Sequence, residues 1–376
     1  MNRIYLDHAA SSPMMPEVIR VVTEAMELYS GNPSSIHTEG RTARAKIEDA
    51  RKKIARIFNA SIGEIFFTSG GTEANNTAIK CAVRDLGVKQ IISTAIEHHA
   101  VLHSIEAMRR EYDIRTDLLA VDAWGRFELG DLETLLQQAS APILVSLMHG
   151  NNEIGNINPI RQIGELCEQY GAYFHTDAVQ TAGHHGLNLQ EIKAHFIAAS
   201  AHKFNGPKGA GILFIRQGVP VRPLLDGGGQ ERNMRAGTEA THQILGMAYA
   251  LELAMNTLAR RQAHHADIKQ YFKEEILKMD AGIHINGDPE KSLDHVLSLS
   301  FPPGPKSDLL LLQLDIAGVS ASGGSACTSG AEQESHVLNA IGHPPERKTI
   351  RFSFSHSNTR DEIDRVISLL RTWYSP

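Results

Sequence analysis

Short runs of consecutive apolar residues alternate with longer helical stretches through roughly the first two thirds of the chain. Ile65-Phe66-Phe67-Thr68, Ile91-Ile92-Ser93, Ile143-Leu144-Val145-Ser146-Leu147, Ala172-Tyr173-Phe174-His175, Phe196-Ile197-Ala198-Ala199 and Ile212-Leu213-Phe214-Ile215 all read as buried strands. Strands that are apolar on both faces belong in a mostly parallel sheet covered by helices on both sides. Past Gly237 the pattern changes. One helical stretch is expected from about residue 244 to 278, with Leu245, Ala248, Leu251, Met255 and Leu258 on one face. Three further strands follow, at 295–299, 318–321 and 350–353. A closing helix opens on Thr359 and Glu362, at the spacing of a capping box, with Ile363, Val366, Ile367 and Leu370 as its apolar stripe. The expectation is an α/β chain with a large sheet domain and a smaller α+β domain.

Composition narrows the class. The 376 residues exceed one ordinary domain, and 42% hydrophobic with 21% charged residues suits a globular protein with a sizeable core. The net charge of -6 is mild and has no Lys/Arg-rich run, so neither nucleic acid nor a membrane surface is an expected partner. No apolar run approaches the roughly 20 residues of a membrane helix, and Met1-Asn2-Arg3-Ile4-Tyr5-Leu6-Asp7 lacks the apolar core of a signal peptide. Three widely spaced cysteines do not form a disulfide framework. They suggest a reducing compartment, and the cytoplasm is expected.

Candidate chemistry lies in four places. Lys203 follows the buried strand at 196–199, preceded by Ser200 and His202 and followed by the turn Gly206-Pro207-Lys208-Gly209. A lysine there can form a Schiff base with an aldehyde cofactor, because burial favours its neutral amine; a surface lysine is the plainer alternative. Asp177 ends the strand at 172–176, with Gln180 three residues on. It needs a cationic partner if buried, such as a protonated pyridine nitrogen, or it is a helix cap. Thr68-Ser69-Gly70-Gly71-Thr72 joins a strand to a helix start and suits a phosphate, without the ending of a Walker loop. Finally, Cys327 lies within Gly323-Gly324-Ser325-Ala326-Cys327-Thr328-Ser329-Gly330, a run of small residues fit for a mobile nucleophile. Cys81 and Cys167 fall in helical patterns and read as core. No metal is expected.

Together these stretches resemble the cysteine desulfurases, the NifS/IscS-like branch of the fold-type I pyridoxal-phosphate enzymes in the class V aminotransferase superfamily. The resemblance runs from Tyr5-Leu6-Asp7-His8-Ala9-Ala10 through Asn151-Asn152-Glu153-Ile154-Gly155, His175-Thr176-Asp177 and Gly227-Gly228-Gly229-Gln230-Glu231-Arg232 to the Cys327 loop. It implies a seven-stranded, mostly parallel sheet in a large domain over 15–255. It also implies a small domain from 1–14 and 256–376 that carries a mobile loop at about 321–333. By the same resemblance Lys203 holds pyridoxal phosphate, Asp177 pairs with its ring nitrogen, and Gln180 and Asn152 face the ring hydroxyl and the substrate carboxylate. Gly71, Thr72, Ser200 and His202 form the phosphate cup, and His98 stacks on the ring and moves protons. Arg351 clamps the carboxylate of L-cysteine, Cys327 takes its sulfur as a persulfide, and Thr238 reaches the other subunit of a homodimer. The sulfur then passes to an iron–sulfur scaffold or a tRNA-thiolation enzyme.

Departures bear on these expectations. Ser355-His356 follows Arg351-Phe352-Ser353-Phe354 where relatives usually carry glycine, and Ala201 replaces a common glycine. The chain ends at Trp373-Tyr374-Ser375-Pro376, without the extension some members use near a scaffold, so delivery to one is less secure than desulfuration. Rival readings are a selenocysteine lyase, an aminotransferase or another enzyme of the superfamily, and a catalytically silent sulfur-relay protein.

Overall fold

The computed structural model describes residues 3–139, 142–323 and 335–374. Its centre is a seven-stranded sheet in the order Ile65–Thr68, Gly211–Ile215, Phe196–Ser200, Tyr173–Asp177, Ile143–Ser146, Gln90–Thr94 and Arg115–Leu119. All neighbours are parallel except Gly211–Ile215, which runs antiparallel to both of its own. Six of these strands are the apolar runs of the sequence. Arg115–Leu119 escapes that pattern because it is an edge strand with polar, partly exposed side chains. Successive strand residues point to opposite faces. Ile92, Val145 and Phe174 therefore pack under the helices Thr38–Phe58, Ile160–Gln169 and Thr241–Asn256, while Ile91, Leu144 and Ala198 meet Gly71–Leu86 and His99–Tyr112.

The helical stretch expected at 244–278 is two helices, Thr241–Asn256 and Leu258–Leu277, broken at Thr257, where φ is -112° and ψ 10°. The buried face of the first is Ile244, Met247, Ala248, Leu251 and Ala254, so Leu245 and Met255 lie at its margin. Tertiary packing displaces the stripe by less than one turn. A four-stranded antiparallel sheet follows, in the order Ser322–Gly323, Lys348–Ser353, Val296–Phe301 and His284–Asn286. Phe272, Phe301, Phe352 and Phe354 fill its core together with Ile363, Val366, Ile367 and Leu370 of the closing helix Arg360–Tyr374. That helix is capped reciprocally: the Thr359 N–H donates to Glu362 and the Glu362 N–H donates to Thr359 Oγ1. Val319–Ser320 does not join this sheet; it pairs in parallel with Ile4–Tyr5, which brings Ile4 and Leu6 into the same core. Among the described residues no helix is long and apolar enough to cross a membrane.

One buried ion pair fixes the turn that approaches the sheet edge. Both terminal nitrogens of Arg51 donate to Glu231 at 2.8 Å, and the Phe67 N–H donates to the same carboxylate at 2.8 Å. Glu231, Arg232 and Asn233 all adopt positive φ there, so the clamp holds a left-handed backbone in place. Removing one partner leaves an uncompensated buried charge. Glu231→Gln is expected to cost about 3 kcal/mol, read by urea denaturation; a loss below about 0.5 kcal/mol would match a mere surface pair.

Candidate active site

Ligands of open α/β sheets bind beyond the carboxyl ends of the parallel strands, and the candidate residues converge there. Asp177 ends its own strand, Lys203 lies three residues past the adjacent strand, Asn152 follows Ile143–Ser146, and His98 follows Gln90–Thr94. A cleft of about 250 Å³ is lined by Gly71, Thr72, His98, Asn152, Asp177, Gln180, Ser200, His202, Lys203 and Arg351, with Met148 and Val179 as apolar wall. This is at the small end of the range for small-molecule sites. Two expected residues are not among its lining. Thr238 is exposed, outside the cleft, and Cys327, with the rest of 324–334, lies outside the described residues.

The lysine amine is held by the N-terminal segment: Lys203 Nζ donates to the Ala9 carbonyl at 2.5 Å and to the Ala10 carbonyl at 3.0 Å. Gln180 Nε2 donates to the same Ala9 oxygen at 2.9 Å, and the Ser12 N–H donates to the His202 carbonyl at 2.8 Å. These carbonyls are a part of the site that sequence reasoning missed, because backbone acceptors leave no residue-type signal. On the opposite wall His98 caps the helix His99–Tyr112: the Ala100 N–H donates to its Nδ1 at 3.0 Å. Nδ1 is thus an acceptor, which puts the proton of the neutral ring on Nε2. Burial holds its pKa below the ordinary value against the opposing charge of Asp177. His98 thus caps the helix and lines the cleft at the same time.

The helix Gly71–Leu86 starts at the floor of the cleft, where its first backbone N–H groups have no intrahelical acceptor. A Cβ on Gly71 would meet Val179 Cγ2 at 2.5 Å, so only glycine leaves that approach open. With Thr72, Ser200 and His202 beside it, this donor set suits a phosphate. The Asp177 carboxylate accepts one bond on each oxygen, from Asn75 Nδ2 at 2.6 Å and from the Val179 N–H at 2.9 Å. Arg351 is buried, with Nη1 donating to the Asn152 carbonyl at 2.7 Å and Nη2 to Asp7 at 2.9 Å. Each terminal nitrogen keeps one more N–H, enough for a second carboxylate.

Two buried acids flank the cleft. Burial pushes Glu97 up to about 8 and Glu153 up to about 7, so Glu97 is protonated at neutral pH. Glu153 accepts from Ser335 Oγ at 2.5 Å, and the Glu97 carbonyl accepts from His336 Nε2 at 2.8 Å. On the other side of residues 324–334, Ser322 is paired directly across from Arg351. Cys81 and Cys167 are core residues, their thiols pushed up to about 11 and about 12 by burial.

A second cluster lies behind the lysine turn. His184, His265 and His295 each bring one nitrogen within 4.8 Å of the others. A cation there would face the buried guanidinium of Arg261, which lines the same space and has no acidic partner among the described residues. His184 and His295 also stack 4.0 Å apart at 19°, so their lone pairs do not converge. The cluster is a packed set of neutral imidazoles.

The family model "Aminotransferase class-V" matches residues 4–366. The chain is 41% identical to the cysteine desulfurase IscS of Dictyoglomus turgidum over 99% of this chain and 96% of that one. It is 40% identical to the cysteine desulfurase IscS of Methanosarcina thermophila over 98% and 91%. Among solved structures, a NifS-like protein superposes with a TM-score of 0.91 at 34% identity, covering 98% of each chain. The NifS-like protein from Rickettsia africae gives a TM-score of 0.89 at 29% identity over the full length of both. The chain belongs to the class-V aminotransferase family, in its cysteine desulfurase branch.

Proposed function

We propose that this chain removes sulfur from L-cysteine, with pyridoxal phosphate held at Lys203 and the sulfur received by Cys327. The observation that carries the reading is the meeting of Lys203 and Asp177 in one cleft with the start of the helix Gly71–Leu86 and with Arg351. Pyridoxal phosphate, when bound, supplies an electron sink for the charge left at the substrate Cα. Lys203 Nζ would hold its aldehyde carbon and, once displaced by the substrate amine, take the Cα proton. Asp177 would keep the ring nitrogen protonated, and Gln180 would face the ring hydroxyl. Gly71, Thr72, Ser200 and His202 would hold the phosphate, and His98 would cover the ring and move protons through Nε2. The spare N–H groups of Arg351, with Asn152, would bind the substrate carboxylate as a planar fork does best.

The Cys327 thiolate then attacks the substrate sulfur. A sulfur–sulfur bond would form as the Cβ–sulfur bond breaks with its electron pair going to Cβ; a proton added at Cβ, with the Cα proton returned from Lys203 Nζ, gives alanine. Support for Cys327 comes from its flanks, which reach Arg351 through Ser322 and Glu153 through Ser335. The buried, raised thiols of Cys81 and Cys167 favour no rival. Residues 15–255 are read as the cofactor-holding domain, and 1–14 with 256–376 as the domain that carries the cysteine loop. Two chains would pair in the cytoplasm, with exposed Thr238 reaching the partner's cleft. An iron–sulfur scaffold or a tRNA-thiolation enzyme would take the sulfur.

Alanine and sulfide release from L-cysteine in the presence of a thiol reductant tests the reading. Cys327→Ala is expected to keep its bound cofactor and lose sulfide release; release at the wild-type rate would point to a lyase and remove Cys327 from the mechanism.

A further inference from the structure

Behind Asp177 runs a line of buried polar side chains that no step above uses. Asn75 Nδ2 donates to Asp177 Oδ2 at 2.6 Å, Asn75 Oδ1 lies 3.0 Å from His175 Nε2, and His175 Nδ1 lies 2.8 Å from Ser146 Oγ. All four residues are buried. The placement follows from secondary structure. His175 and Asp177 are two apart on one strand and so share a face, Asn75 comes down from the helix Gly71–Leu86 onto that face, and Ser146 is paired with His175 on the neighbouring strand.

Chemistry fixes the direction of each bond. The Asp177 carboxylate accepts only, so the Asn75 amide must present its nitrogen there; the flipped amide would set two acceptors 2.6 Å apart. Asn75 Oδ1 then faces His175, which must donate from Nε2. Burial holds His175 neutral, at a pKa of about 3, so it has a single N–H and its Nδ1 accepts from Ser146 Oγ. A buried amide could have been satisfied in many ways; here every donor points toward Asp177.

We propose that Asn75 and His175, backed by Ser146, are positioning residues that hold the Asp177 carboxylate in the orientation that presents it to the cofactor ring, so that the ring nitrogen keeps a carboxylate acceptor for its proton. The inference rests on the reading of Asp177 as the ring partner. With the donated bond removed, the carboxylate is free to turn away from the ring, and the protonated ring nitrogen loses the acceptor that stabilises its charge. Val179 N–H alone then holds the carboxylate from its other oxygen.

The test loads the full chain with pyridoxal phosphate labelled with nitrogen-15 in the ring, and reads the ring resonance by NMR beside cofactor affinity by titration of the apoprotein. Asn75→Leu is expected to move the resonance from the protonated toward the neutral-pyridine position and to weaken cofactor binding about tenfold or more. His175→Phe should shift it in the same direction by less, and His175→Gln, which keeps an N–H for Asn75 Oδ1, should return it toward wild type. A folded Asn75→Leu protein with unchanged resonance and affinity would overturn the proposal. If that variant does not fold, identical resonances in His175→Phe and His175→Gln overturn it instead. Asp177→Asn separates the two levels: an unchanged resonance there removes Asp177 itself as ring partner, whereas a change there with none in the Asn75 and His175 variants removes only the positioning chain.

Discussion

Lys203→Ala is expected to lower alanine formation from L-cysteine by about ten-thousandfold or more, because one side chain serves both as covalent anchor and as base. The two roles are combined in Nζ, which the Ala9 and Ala10 carbonyls aim into the cleft. Among the described residues no second primary amine lines the cleft to form the covalent link in its place. His202, the nearest imidazole in sequence, is held down to about 4 by burial and by the positive charge of Lys203 and Lys208. The backbone of the turn should survive the change, since its outer contacts run through the Lys203 carbonyl, which accepts from His184 Nε2 at 3.0 Å. Two readouts check this: alanine release, and the yellow absorbance of the bound cofactor, which is expected to change in position and to be lost on gel filtration. Turnover within tenfold of wild type would rule out Lys203 as the anchor.

The second large effect is acid lability. Burial depresses His149, His175 and His184 to about 3 and His265 to about 2, and drives His295 well below its ordinary value. The unfolded chain would take up protons at these rings near pH 6.5, while the folded chain refuses them. Stability is therefore intact above pH 6.5 and lost as pH falls toward 3, by about 1.4 kcal/mol per pH unit for each ring. Glu97 and Glu153 act oppositely. Their folded values of about 8 and about 7 exceed the ordinary 4.5, so their contribution is complete below pH 4.5 and is lost as pH rises through the folded values. Five rings outweigh two acids, and a net stability of only about 5–15 kcal/mol leaves little reserve. Cooperative unfolding is expected between about pH 5 and 4, followed by circular dichroism, and His265→Phe should move the midpoint to lower pH. A midpoint below pH 3 would mean that these rings are hydrated or paired in the folded protein.

The large sheet was legible because its central strands are buried on both faces, and uninterrupted apolar runs report that condition directly. Arg115–Leu119 was not, since an edge strand owes its pairing to Gln90–Thr94 rather than to its own composition. The break at Thr257 left no proline or glycine to mark it. Within the site, Lys203 and Asp177 could be singled out because each stands at or just past a strand end with a distinctive functional group, whereas His98 and Arg351 entered only through the family resemblance. The partners that aim them could not be singled out. Asn75 and Asp177 are separated by 102 positions, and Arg351 and Asp7 by 344, so their pairing exists only in the folded topology. The three-histidine cluster illustrates the reverse problem: residue type suggests a metal, and only the positions of Arg261 and the stacked rings argue against one.

The N-terminal segment ties the lysine turn to the small sheet. Residues 9 to 12 grip the lysine turn, yet Ile4–Tyr5 pairs with Val319–Ser320 and the Ala9 N–H donates to Ser353. The segment is therefore a tie-rod between the two cores: Ile4 and Leu6 are packed with the closing helix while the Ala9 and Ala10 carbonyls hold the lysine amine, so any displacement of the small sheet is handed directly to Lys203 Nζ.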